Sequence, residues 1–164
     1  SPVGSKGLLT FPFGNGSERI LEGKNIEGIF RKINYNIHSL SDLLRSAQEG
    51  IVFSLIYGLK IMKDTGISPT TIRAGYSNMF LSPVFIETLV NTSQIPVELY
   101  DTDGSIGAAR GAGIGSGWYS SADEAFISLK KIIHQEPEKQ LHEKYLNVYS
   151  KWEDELNLIL KSLG

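Results

Sequence analysis

Residues 70–83 read TTIRAGYSNMFLSP. A short β-branched run stops at Ala74-Gly75, passes Asn78 and opens into an apolar segment of helical character. The reading is a strand over Thr70–Ala74 and a helix over Phe80–Asn91. The same rhythm repeats downstream, with a strand over Ile95–Tyr100 and a small-residue helix over Ser105–Gly115. Strands alternating with helices predict an α/β fold.

Upstream, Gly7–Phe13 (GLLTFPF) reads as a short buried strand and Gly14–Lys24 as a loop with turn residues. Glu27–Asn34 reads as a second strand, and a third is allowed in this region. Glu18-Arg19 is either a pair at a cleft or, the plainer reading, a solvated loop pair. Ser39 or Ser41 caps the longest helix, with Asp42 in its first turn; Gly66 ends it and Pro69 prevents its return. Its apolar stripe reads as Leu40, Leu44, Ala47, Ile51, Leu55 and Leu59. Gly50 and Gly58 inside this helix cost about 1 kcal/mol each against Ala, which close packing on a sheet would explain. Ser120 or Ser121, followed by Asp123-Glu124, starts a helix that is expected to run through Ile133. After a break at Gln135–Pro137, Glu138–Leu163 forms an amphipathic helix whose Tyr145, Tyr149 and Trp152 suit docking better than chemistry.

The chain has 164 residues, 41% hydrophobic and 21% charged, which suffices for one domain with a real core. A net charge of -2 gives no reason to expect nucleic acid or an anionic membrane as a partner. With no cysteine there are no disulfides or thiolate metal sites, a composition that suits the cytoplasm. No apolar run approaches the roughly 18–20 residues of a membrane span. Residues 1–6 (SPVGSK) are small and polar and read as a disordered or extraneous start, so the domain is expected over 7–164.

The common nucleotide, metalloprotease and serine-hydrolase motifs are absent. His38, His134 and His142 fall in three segments and form no evident metal site or triad; the last two flank a break and read as exposed. Two junctions are informative. At Arg73–Asn78, a strand ending on Ala74-Gly75 leaves its backbone bare, so a flat ligand can approach. The following helix start would offer free N–H groups, and Asn78 could cap it or turn toward a ligand. A capped β-to-α turn without a ligand fits the spacing as well. At the second junction, Asp101 and Asp103 precede the small-residue helix; two carboxylates could hold a divalent ion, but N-capping by Asp is the commoner use.

Taken in order, these segments resemble the FGGY carbohydrate kinases. GNGSERI resembles the family's G-E-R loop and EGIFRKIN its G-x-F-x-G-L strand. LLRSAQEGIVFSL resembles its L-x-R-A-x-x-E-G-x-A-F-x-L helix, with Arg45, Ala47, Glu49 and Gly50 in register. IRAGYSNMF falls where the family has G-G-G-A-x-S/N, and DTDGSIGAARGAG on its G-A-x-G-A-A helix. The similarity runs from about Gly7 to Trp118.

The resemblance implies an actin-like, ribonuclease-H-like fold with a mixed sheet and packed helices. It implies a parent of two hinged domains, the first binding sugar and supplying an Asp general base, the second binding ATP with Mg²⁺. By position, Ala74 and Gly75 would back the nucleotide and Asn78 would contact base or ribose. Ala74 stands for the usual Gly and Tyr76 for a small residue, so the ring of Tyr76 must turn away or stack. The sugar domain and the γ-phosphate hairpin have no counterpart in this chain, so the fragment alone is expected to be inactive. The parent's implied partners are ATP and a ketopentose, with glycerol, ribulose or gluconate as alternatives; a homodimer is compatible with the resemblance. A non-enzymatic actin-like nucleotide-binding module is the reading from another class.

Overall fold

The computed structural model describes residues 1–16 and 20–163. The expected Glu18-Arg19 pair lies outside the described residues. Strands β1 (Leu9–Phe13) and β2 (Glu27–Arg31) form an antiparallel pair, Leu9 opposite Arg31 and Phe13 opposite Glu27. Helix α1 (Leu40–Asp64) follows, then β3 (Ile72–Gly75), α2 (Pro83–Ser93), β4 (Val97–Tyr100), α3 (Gly104–Gly115), α4 (Ala122–Phe126), β5 (Lys131–Gln135) and α5 (Lys139–Ser162). β3 runs parallel to β4, and β5 runs antiparallel to β4 on its other side. The expected α/β architecture with a mixed sheet is therefore present.

The expected helix through Ile133 is a correction. It ends at Phe126, and residues 131–135 form β5 instead. Ile132 and Ile133 are β-branched, and Ile133 sits opposite buried Leu99 of β4, a pairing a helix would forfeit. The helix expected from Phe80 also divides, into a single 3₁₀ turn over Asn78–Leu81 and then α2, with Pro83 in its first turn.

α1 starts as its sequence predicts, with the Ser39 N–H donating to Asp42 Oδ2 at 2.8 Å. Its buried face differs from the predicted stripe. Leu40, Leu44 and Leu55 are exposed at 69%, 57% and 44%, while Asp42, Ser46, Glu49, Gly50, Val52, Phe53 and Ile56 are buried. The reason is the partner surface. β1 and the opening residues bring backbone N–H and C=O groups to this face, and buried polar groups must be paired. Ser46 Oγ donates to the Leu8 carbonyl at 3.1 Å, and Glu49 accepts from the Gly4 N–H at 2.9 Å and Ser5 Oγ at 3.1 Å. Gly50 is fixed by contact, because a Cβ there would lie 3.0 Å from the Thr10 carbonyl carbon and closer still to its oxygen. Gly58 has no such neighbour among the described residues.

The opening residues are thus seated on α1, contrary to the expectation of a disordered start. Gly4, Ser5, Lys6 and Gly7 all have left-handed backbone (φ 78°, 46°, 54° and 90°), and Lys6 pairs with buried Asp42 at 2.9 Å. Across the domain, α5 docks its aromatic face as predicted. Trp152 is buried, stacks on Phe11 at 5.3 Å between centroids, and donates from Nε1 to the Thr10 carbonyl at 2.8 Å. Helices α1, α2 and α5 pack against one another, and the ends of β3 and β4 border a cleft.

Candidate functional site

The C-terminal ends of β3 and β4 lie side by side, with Gly75 opposite Tyr100. The chain then bends through Thr102, while the return from α4 to β5 passes over the same edge, the Asp101 N–H donating to the Lys130 carbonyl at 2.9 Å. Between them opens a cleft of about 530 Å³. Its sheet side consists of Arg73, Ala74 and Gly75 with Tyr100 and Thr102; its helix side consists of Ala122, Asp123 and Phe126 of α4 with Leu129. Ligand crevices of open α/β sheets lie at such strand ends.

Two of the three predicted site residues meet here. Ala74 and Gly75 line the cleft, but Asn78 does not. Asn78 begins the 3₁₀ turn with left-handed backbone (φ 51°), is exposed, and its side chain makes no hydrogen bond among the described residues. α2 itself starts only at Pro83, so a 3₁₀ turn separates its amino end from the strand terminus. The bareness of Gly75 also has a use within the protein. A Cβ at this position would stand 3.0 Å from the Thr102 carbonyl carbon and 3.3 Å from Asp103 Cα. Gly75 therefore permits the close passage of the Thr102 backbone while its remaining surface borders the cleft. Tyr76 is exposed and lies outside the cleft lining.

Sequence reasoning missed the α4 wall, because the segment from Ser120 or Ser121 through Ile133 was read as one continuous helix, whereas α4 ends at Phe126. Arg110 of α3 braces this wall, bonding through its guanidinium to the Ala125 carbonyl and to Ser128 Oγ and lying 5.9 Å from the centre of the Phe126 ring.

Glu98 of β4 organises the charge beside the cleft. It accepts from Lys131 Nζ at 2.6 Å, Tyr100 Oη at 2.8 Å and Arg73 Nε at 3.0 Å. These donors, Lys131 foremost, hold its carboxyl down at a pKa of about 2. Arg73, the cation of the cleft, is consequently committed to a partner. Asp103 caps α3, its Oδ1 accepting from the Ile106 N–H at 2.9 Å and Ser105 Oγ at 2.6 Å, which lowers its pKa. Asp103 thus serves as the N-cap that its position suggested, and the described residues contain no group of three or more His, Asp or Glu side chains arranged for a metal.

The three histidines remain apart. His38 Nδ1 accepts from the Asn34 N–H at 2.9 Å, His134 lies 2.7 Å from Glu136, and His142 is half-buried 3.0 Å from the Asn91 carbonyl, where exposure was expected. The glycines of α3 at 107, 111 and 115 have nothing within 4 Å of a built Cβ, so packing within the described residues does not account for them. No helix among the described residues is long and apolar enough to cross a membrane.

No family model matches the chain. Among curated proteins it is 31% identical over 159 residues to a xylulose kinase of Staphylococcus epidermidis, covering 93% of this chain and 31% of that protein. It is 30% identical over 172 aligned positions to the xylulose kinase of Bacillus subtilis, covering 98% and 34%. Among solved structures, the xylulose kinase of Rhodospirillum rubrum superposes with a TM-score of 0.78 at 21% identity, over 96% of this chain and 32% of that one. The gluconate kinase of Lactobacillus acidophilus gives 0.77 at 20%, over 98% and 32%. These likenesses carry the actin-like fold, and the chain spans about a third of the length of the curated relatives it matches. With this fold over nearly its whole length and about 30% identity to curated xylulose kinases, the chain belongs to the FGGY carbohydrate kinase family.

Proposed function

We propose that this chain is part of the C-terminal ATP-binding domain of a cytoplasmic xylulokinase and supplies its adenosine site. The observation that carries the reading is the cleft at the ends of β3 and β4, with Ala74 and Gly75 on one side and Phe126 and Leu129 on the other. An apolar slot with a few polar groups suits a purine nucleoside, whose flat base gains from contact on both faces. Asn78 lies beyond the lining and would reach the nucleotide only through its ribose or phosphates.

In the whole enzyme the γ-phosphorus would break its bond to the β-phosphate oxygen and bond the 5-hydroxyl oxygen of D-xylulose. The hydroxyl proton would pass to a carboxylate of the sugar domain, and ADP would leave. Mg²⁺ would neutralise the phosphates as this occurs. The segment's share is to bind and orient the donor. Identity of 30–31% to xylulose kinases favours xylulose over gluconate, although the fold alone matches both.

Ala122→Trp in the full-length kinase tests the reading. Ala122 is exposed on α4, so a large ring there fills the cleft without disturbing the core. The KM for ATP should rise about tenfold or more, with the KM for xylulose nearly constant. An unchanged ATP KM would remove the cleft as the nucleoside site.

A further inference from the structure

We infer that Asp123 sets the nucleotide specificity of this cleft by accepting a hydrogen bond from a neutral donor of the nucleoside; the inference rests on the adenosine reading above. Among the polar groups of the cleft it is the uncommitted one. Arg73 and the Tyr100 hydroxyl are bound to Glu98, at 3.0 and 2.8 Å, and Thr102 Oγ1 leans on the Asp103 carbonyl at 3.4 Å. Asp123 makes no hydrogen bond or ion pair with any described residue. Its neighbour Glu124 has a structural task, accepting from the Ser120 N–H at 2.8 Å across the start of α4.

A carboxylate offers acceptors. Beside Ala122, Phe126 and Leu129, and with no free cation in the cleft lining, it favours an N–H or O–H donor and repels a phosphate. The end of the ligand that meets α4 is therefore the nucleoside, through the exocyclic amine of adenine or a ribose hydroxyl, and the phosphates leave the cleft on the opposite side. A bare apolar slot would accept any purine nucleoside; Asp123 makes the choice.

The test is the kinase activity of the full-length protein with ATP, ITP (a carbonyl in place of the amine) and 2′-deoxy-ATP. The unmodified enzyme should favour ATP over one of these analogues by about tenfold or more in kcat/KM, as expected of a bond to a charged acceptor. Asp123→Asn should shrink that preference, and Asp123→Ala should abolish it, while the KM for xylulose and the thermal midpoint stay constant. Loss of the ITP ratio identifies the amine as the donor, and loss of the deoxy ratio the ribose. Both ratios unchanged in Asp123→Ala, with Ala122→Trp still raising the ATP KM, would overturn this inference and leave the adenosine site standing. If Ala122→Trp has no effect either, both fall.

Discussion

The Thr102 carbonyl stands where a side chain on Gly75 would begin. The glycine that ends β3 is therefore a packing requirement before it is a ligand surface. Gly75→Val should destabilise the domain by about 1–3 kcal/mol, because the Thr102 backbone must shift to admit the new carbons. Thermal or urea unfolding would reveal this, and a melting temperature equal to that of the unsubstituted protein would contradict the contact. Any change in ATP kinetics with this variant mixes binding with folding, which makes Ala122 the better probe.

The ends of the elements were legible in the sequence where local chemistry fixes them. Ser39 with Asp42 starts α1, Gly66 closes it, and Asp103 caps α3. The face of α1 was not legible. Periodicity counts apolar residues, whereas β1 and the opening segment require both donors and acceptors, so Asp42, Ser46 and Glu49 are inside and Leu40 and Leu44 outside. The second half of the cleft was lost for another reason. Ser121-Ala122-Asp123-Glu124 is a good helix start, and nothing local marks its end after one turn. The paired Ile132 and Ile133 were the available signal for a strand, and only the neighbouring β4 makes that pairing decisive.

Glu49 should be indispensable to the opening corner. Its carboxylate receives Gly4, Ser5 and Arg45 (3.3 Å) while buried, and burial raises its pKa. Glu49→Ala leaves those donors without an acceptor and should cost about 2–4 kcal/mol. Glu49→Gln, which keeps an acceptor for Gly4, should cost less. Urea unfolding of the three proteins orders them; equal midpoints would show that residues 1–7 detach without consequence.

The docking of α5 predicts a large core effect. Trp152 fills the space between Phe11, Phe53 and Tyr149 and also pairs the Thr10 carbonyl. Trp152→Ala should lose about 3–5 kcal/mol, whereas Trp152→Phe, which keeps a ring but leaves that carbonyl unpaired, should lose less. A loss below about 1 kcal/mol for the Ala variant would mean that α5 is peripheral to stability.

Glu98 gives a pH dependence of definite sign. Lys131, Tyr100 and Arg73 stabilise its ionised form in the folded state, so its pKa falls from the ordinary 4.5 to about 2. Protons then bind the unfolded chain first as the solution is acidified, and the stabilisation present above pH 4.5 is lost as pH falls towards 2. Asp42, whose pKa is lowered chiefly by the Ser39 N–H, acts in the same sense, and Glu49 in the opposite one. Urea midpoints should accordingly fall between pH 4.5 and 2 in the unsubstituted protein, and fall less in Glu98→Gln, which starts lower at neutral pH. Parallel curves for the two would mean that the cluster beside the cleft does not form in solution.

The isolated 164-residue chain should not phosphorylate sugar. A kinase needs a base beside the accepting hydroxyl and charge around the moving phosphoryl group. In this segment Arg73 is held by Glu98, Asp103 is spent on its helix, and the three histidines are engaged in separate places with Asn34, Glu136 and Asn91. Orientation of ATP by an adenosine cleft cannot replace those groups. A coupled assay for ADP with xylulose, ATP and Mg²⁺ should therefore read the uncatalysed rate, while ATP still raises the thermal midpoint of the chain if the cleft is formed without the remaining two-thirds of the enzyme. Xylulose-dependent ADP release by this chain would mean that a catalytic base lies within these residues, and Asp123, the carboxylate that lines the cleft, would be the first to replace.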